Sequence, residues 1–335
     1  MKTALLLLLL LAAPLAAQEP LKACATVPDL GRLCEEVGGS EVKVVTFAQG
    51  PEDPHHIEAK PNFVRDLASA ELLLLVGMDL ETGWLPALLE QCRNPKVLKT
   101  GAGYFEASKF ITPLEVPAGE VDRTQGDVHA HGNPHYLSDP ICGLRVARGI
   151  RDKLSELRPA RKEEFEKRYQ DFRKRLGARL VGEKLTEKYD IEKLARLHEF
   201  NKLGDFLKKQ GETDLLSGWL KDLMPHHGVK AVADHNIWAY FGARFGLKFS
   251  GFLEPLPGIS PTTRHLNALI ETMKSDGAKL ILSVAYFDKR HAEFVASKTS
   301  AKAVTLAHQA GAVEGASDYL STVDLNVQRI VAALK

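Results

Sequence analysis

The sequence predicts an α/β protein of two lobes, each built on a parallel sheet. Three observations carry that prediction. Short apolar runs alternate with segments of helical period, the pattern of strand–helix–strand units. The alternation occurs twice, over residues 18–158 and 183–335, with a charged helical stretch at 159–182 between them. The length left after an apolar leader exceeds what a single hydrophobic core usually serves.

The leader comes first. Lys2 precedes an unbroken leucine run over 5–11 and then Ala-Ala-Pro-Leu-Ala-Ala. A short charged start, a brief apolar core and small residues read as a secretory signal peptide, cleaved near Ala17, and not as a membrane span. Its removal takes away one of 44 basic residues and none of the 43 acids, so the mature chain is formally neutral. Bulk charge therefore provides no grip for nucleic acid or an anionic membrane. Cys24, Cys34, Cys92 and Cys142 allow one or two disulfides in an exported chain, or four buried thiols; none forms a Cys-x-x-Cys pair. A lipid-modified Cys24 is disfavoured, because Lys22 lies near the cut and the cysteine lies beyond the apolar core of the leader.

Residues 21–27 form a short apolar run ended by Pro28, and 29–38 carry helical spacing with a glycine stop. Residues 42–47 are nearly all β-branched, as in a strand buried on both faces. A Gly- and Pro-bearing loop follows at 48–56. Residues 61–69 read as helix, 72–77 as a buried strand and 85–92 as helix, and Val97-Leu-Lys-Thr closes a fourth unit. A helical pattern then runs through Ile141, Leu144, Val146, Ile150, Leu154 and Leu157, breaks at Pro159, and resumes as Phe165, Tyr169, Phe172, Leu176 and Leu180. Steps of three and four put those groups on one face, as in a surface helix or a connector between lobes. Segment 183–227 has helical signals at 190–197 and 202–209. The alternation returns with 230–233, 238–245, 248–251, 265–274, 279–284, 289–298, 303–306 and 319–334.

The histidines stand at particular places in this pattern. His129, His131 and His135 share the loop Gly126-Asp-Val-His-Ala-His-Gly-Asn-Pro-His. His55 follows the 42–47 strand, His235 follows 230–233 by one residue, and His308 follows 303–306 by one residue. Ligands of open parallel sheets bind outside the carboxyl ends of the strands. If the lobes face each other, His55 and His135 from one and His235 and His308 from the other can meet, and four neutral nitrogens make a tetrahedral zinc site. His129 and His131 either decorate their loop or capture metal and pass it to His135. His56 points away from its neighbour, and His198, His226, His227, His265 and His291 read as solvated.

Four ordered motifs carry a family resemblance: Asp53-Pro-His-His-Ile-Glu-Ala-Lys-Pro, Gly132-Asn-Pro-His-Tyr-Leu-Ser-Asp-Pro, Asp234-His-Asn-Ile-Trp-Ala-Tyr-Phe with Arg244-Phe-Gly-Leu, and Glu254-Pro-Leu-Pro-Gly-Ile-Ser-Pro. Over nearly the whole mature chain the sequence resembles the zinc/manganese solute-binding proteins of bacterial ABC transporters. The resemblance implies two Rossmann-like lobes joined by a rigid long helix, with metal in the interdomain cleft. It carries over His55, His135, His235 and, through a looser segment, His308 as metal ligands. Histidine at the third position favours Zn²⁺ over Mn²⁺, since nitrogen donors suit zinc and carboxylates suit manganese. The implied partner is an ABC-type membrane permease and the compartment the periplasm; two domains with a cleft fit a monomer.

Two other classes stay open at this level. A zinc hydrolase would keep three ligands and a water and need a base, for which Glu58 or Glu254 is available, although no His-Glu-x-x-His is present. An extracellular interaction protein with structural zinc has no support in the composition. A histidine-only site predicts that affinity collapses as pH falls through about 6.5.

Overall fold

The computed structural model describes residues 19–119, 129–256 and 258–335. The leader lies outside them. Among the described residues no helix is long and apolar enough to cross a membrane.

Two four-stranded parallel sheets organise the chain, as the alternation predicts. In the first, β1 (Leu21–Ala25) lies between β2 (Val42–Thr46) and β3 (Leu72–Leu75), and β4 (Tyr104–Glu106) flanks β3, giving the order β2-β1-β3-β4. Helices α1 (Pro28–Gly38), α2 (Pro61–Ser69) and α3 (Leu85–Cys92) join these strands. All four leucines of β3 are buried, each worth about 1.5–3 kcal/mol relative to exposure. Val97 does not open a strand. It ends a single 3₁₀ turn, Pro95–Val97, because Asn94 accepts the Lys96 amide at 3.1 Å and donates to the Leu67 and Ala70 carbonyls. The fourth strand forms only after the Gly-Ala-Gly bend.

Helix α4 (Pro140–Leu157) starts with Asp139 capping the Ile141 amide. A 3₁₀ turn at Pro159–Arg161 separates it from α5 (Lys162–Val181), whose Phe165, Tyr169, Phe172, Leu176 and Leu180 are buried as one stripe. Helix α5 packs against α1 and α4, and also against α6 (Glu183–Lys188) and α9 (Gly218–Leu223). Between these last two lie α7 (Ile191–Glu199) and α8 (Leu203–Gln210). Leu185, Leu194, Leu207, Trp219 and Leu220 from this region join a core that runs continuously from β1 to the C-terminal helix.

The second sheet repeats the order of the first: β6 (Lys248–Phe252), β5 (Lys230–Ala233), β7 (Leu280–Ser283), β8 (Lys302–Thr305). Its helices are α10 (Ala239–Phe245), α11 (Thr263–Asp276), α12 (Lys289–Lys298) and α13 (Tyr319–Leu334).

The four cysteines are free and buried, so the disulfide alternative does not hold. His198 is not solvated as expected. It is buried on α7, its ring 6.3 Å from that of His227, because α10 brings Arg244 over the same face.

Candidate metal centre

Each histidine is aimed by its local chain. In the loop after β2, Asp53 takes the His55 amide at 3.0 Å and the His55 Nδ1 at 2.7 Å. A carboxylate on Nδ1 fixes the tautomer and leaves the lone pair on Nε2. Burial works to raise the Asp53 carboxyl, but its contacts with His55 outweigh this and hold it below its usual range. In the second lobe His235 follows β5 at once. Its Nδ1 lies 2.9 Å from Glu254, which follows β6 and also accepts the Gly258 amide. Glu254 is therefore engaged on the side of the ring away from Nε2, where it orients the His235 imidazole. Glu58 is exposed.

His135 is set by the Asn-Pro-His turn. Asn133 Oδ1 accepts the His135 amide at 2.9 Å, while Asn133 Nδ2 donates to Glu115 and to the Asn236 carbonyl of the other lobe. Tyr240 donates to the Asn133 carbonyl and accepts the Leu114 amide. One turn thus carries a candidate ligand and stitches the lobes together. A second stitch is a buried bidentate pair, Arg244 to Asp139, with both N···O distances 2.9 Å.

The rings of His55, His135 and His235 form a near-equilateral triangle, with centroids 5.1, 5.6 and 5.5 Å apart. His129 caps one edge, 5.2 Å from His55 ring to ring, with Nε2 to Nε2 at 3.2 Å. Candidate ligand nitrogens of His55, His129 and His135 all lie within 4.8 Å of one another. The Nε2 atom of His135 is buried without a hydrogen-bond partner, an atom that burial leaves costly unless something binds it. Burial, then His55 and His235, hold His135 well below the usual imidazole range and push His129 down to about 3. Both rings are therefore neutral bases at pH 7, the form a metal needs.

His308 stands apart from the triangle. Its Nε2 is 3.1 Å from the Glu52 carbonyl and its ring meets Tyr286 edge-on at 4.8 Å. Burial pushes it down to about 4. The loops here are pressed together: a Cβ on Gly50 would lie 2.1 Å from the Gly311 carbonyl carbon, so only glycine fits. His131 is exposed and pairs with Asp79 at 2.7 Å, outside the group. The His56 ring lies 6.1 Å from that of His55. Sequence reasoning missed the steering role of Glu254 and the clasp through Glu115, Asn133 and Tyr240. Only the Asp53–His55 pair, two residues apart, offered a local signal.

Comparison with known proteins places the chain in a family. Residues 24–188 and 208–333 match the family model described as ZnuA, zinc-uptake complex component A periplasmic. The metal ABC transporter substrate-binding lipoprotein ScbA of Streptococcus cristatus is 26% identical over 173 residues, 51% of this chain and 52% of ScbA. The manganese ABC transporter substrate-binding lipoprotein PsaA of Streptococcus anginosus is 25% identical over 161 residues, 47% of this chain and 48% of PsaA. The zinc-binding lipoprotein AdcA of Streptococcus pneumoniae is 24% identical over 277 residues, 80% of this chain and 45% of AdcA. The chain spans about half the length of the curated relatives it matches. A crystal structure of ZnuA shares the fold, with TM-score 0.66 and 23% identity over 94% of this chain and 100% of that one.

Proposed function

Because the chain belongs to the ZnuA family of zinc-uptake periplasmic components, we propose that it is the exported capture protein of a metal importer, with Zn²⁺ as cargo. The family is one of solute-binding proteins of ABC transporters and not of enzymes. The protein takes the ion between its lobes at His55, His135 and His235, with His308 as the fourth ligand, and delivers it to an ABC-type membrane permease. Residues 159–182 serve as the connector between lobes 18–158 and 183–335, and the protein acts as a monomer.

The carrying observation is the triangle of imidazoles with two rings held by carboxylates on Nδ1. No carboxylate oxygen stands among the proposed ligands. That donor set suits Zn²⁺ better than Mn²⁺, although relatives are named for each metal.

The relatives are named lipoproteins. Here Cys24 lies within β1, 2% exposed and registered against Val45 and Leu73. Acylation there would require β1 to leave its sheet, so we favour export without a lipid at that residue. Fractionation of a Cys24→Ser variant tests this, since an anchor at Cys24 would be lost with the thiol.

Calorimetric titration of the metal-free mature protein with Zn²⁺ and Mn²⁺ tests the reading. One tight zinc per chain, with manganese far weaker, is the expected result. Zinc affinity unchanged in the His55→Ala, His235→Ala double variant overturns the site.

A further inference from the structure

Glu115 has φ +55°, the left-handed region that an L side chain enters at a cost and glycine does not. Other residues found there have a local reason. Arg93 closes α3, and asparagine, as at Asn201, takes the region readily. Glu115 ends no helix and is not of that type. A backbone held in this way persists where the surroundings demand it.

The surroundings of Glu115 are two turns of the metal centre. Its neighbour Leu114 accepts the Asn133 amide at 2.9 Å through its carbonyl and gives its own amide to the Tyr240 hydroxyl at 2.9 Å. Gly132 makes that approach possible: a Cβ there would lie 2.9 Å from the Leu114 carbonyl oxygen. The Glu115 carboxylate returns over the same place. Its Oε2 accepts Asn133 Nδ2 at 2.9 Å and Asn236 Nδ2 at 2.7 Å. Asn133 belongs to the turn that carries His135, and Asn236 follows His235 directly. One exposed oxygen therefore joins a ligand turn of the first lobe to a ligand turn of the second. The buried Asn133 side chain has no donor or acceptor to spare. Its Oδ1 takes the His135 amide, and its two Nδ2 protons go to Glu115 and to the Asn236 carbonyl.

We infer that Glu115 is a positioning residue for both turns, and that it sets how long zinc is held and not how fast it is caught. It reaches the centre only through Asn133 and Asn236. Its bridge exists only while the two turns stand together, so it opposes their separation and leaves the arrival of the ion untouched. The costly backbone at Glu115 is what aims the carboxylate at both. This rests on the triangle of His55, His135 and His235 being the metal site.

The test uses the mature protein and Zn²⁺, with capture and chelator-driven release followed by stopped flow. Glu115→Gly removes the carboxylate and relieves the backbone. Release should speed by about fivefold or more while capture stays within about twofold of wild type. The apo melting temperature should stay within about 2 °C of wild type, because the relieved backbone offsets the bonds lost. A residue that merely props the fold would move both readouts together. Glu115→Gln keeps the length and an acceptor oxygen, so its release should lie within about twofold of wild type. Three results overturn the inference: release in Glu115→Gly within about twofold of wild type, an apo melting temperature lowered by more than about 5 °C, or Glu115→Gln releasing as fast as Glu115→Gly. A His55→Ala control separates the failures. If it keeps wild-type affinity, the metal site is misplaced and both readings fall. If it loses affinity while Glu115→Gly releases zinc as wild type does, only the role of Glu115 fails.

Discussion

The two lobes share one strand order yet use its positions differently. With β2-β1-β3-β4 in the first and β6-β5-β7-β8 in the second, β1 corresponds to β5 and β2 to β6. After β1 the first lobe places the buried Asp29; after β5 the second places the buried Asp234 and then His235. After β2 comes the loop to His55; after β6 comes Glu254. Topology fixes the edge at which ligands gather, outside the carboxyl ends of the strands. It does not fix which strand supplies an imidazole and which its carboxylate. In the first lobe those partners are two residues apart, and in the second they are 19 apart.

The largest expected effect breaks the join between the lobes. Arg244→Ala strands Asp139 in a buried position, where the pair now makes two hydrogen bonds. Removing one partner of such a pair costs about 3–5 kcal/mol. Denaturant unfolding of the metal-free protein measures it. A loss below about 1 kcal/mol, the surface-pair range, would mean that the pair does not clamp the lobes.

The next test asks whether the two carboxylates do the same work despite their different origins. Asp53→Asn and Glu254→Gln should each weaken zinc binding by about 10–100-fold, the usual effect of removing a partner behind a histidine ligand. Similar losses would mark one device built twice. A loss confined to Asp53→Asn would leave His235 oriented by packing alone, for instance by Phe287, whose ring lies 6.3 Å away.

That contrast also explains what could be read from sequence. Strands of branched residues and helices with one apolar stripe are local properties, so β2, β5, α2, α3, α12 and α13 were legible nearly to the residue. The 97–100 segment was not, because Asn94 reaches back to Leu67 and Ala70 to hold a turn. The histidines could be placed at strand ends from spacing alone. The Glu254–His235 pair, the Asn133 clasp and the approach of His129 depend on chain far away in sequence. His198 was misread for the same reason: its helix was evident, but the Arg244 that covers it lies on α10.

Acid sharpens the comparison further. Burial first, then Arg244 and His227, push His198 down to about 4. The unfolded chain binds that proton near 6.5 and the fold does not. The stability His198 contributes is thus present above about 6.5 and is lost as pH falls toward about 4. His129 and His308 act in the same direction. Asp29 and Asp234, the counterparts after β1 and β5, have the opposite sign. Burial raises each to about 7, so their contribution is greatest in acid and fades as pH rises from about 4 to 7. The apo melting temperature should drop between pH 7 and pH 5. His198→Asn should flatten the drop and Asp29→Asn should steepen it. The reverse ordering would mean that the buried carboxyl is ionised in the fold.

The smallest effect concerns the clasp. Tyr240 donates to the Asn133 carbonyl at 3.0 Å and accepts the Leu114 amide at 2.9 Å. Tyr240→Phe deletes both bonds and keeps the ring against Tyr136. The stability cost should be about 1–3 kcal/mol, because the Asn133 carbonyl loses a buried donor while the Leu114 amide is only part-buried. Asn133 keeps its side-chain bonds to His135, Glu115 and Asn236, so the ligand turn stays aimed and zinc affinity should fall by less than about threefold. A tenfold fall in affinity with little loss of stability would show that Tyr240 tunes the site through Asn133. His135 would then depend on the second lobe for its aim, as His235 depends on Glu254 within that lobe.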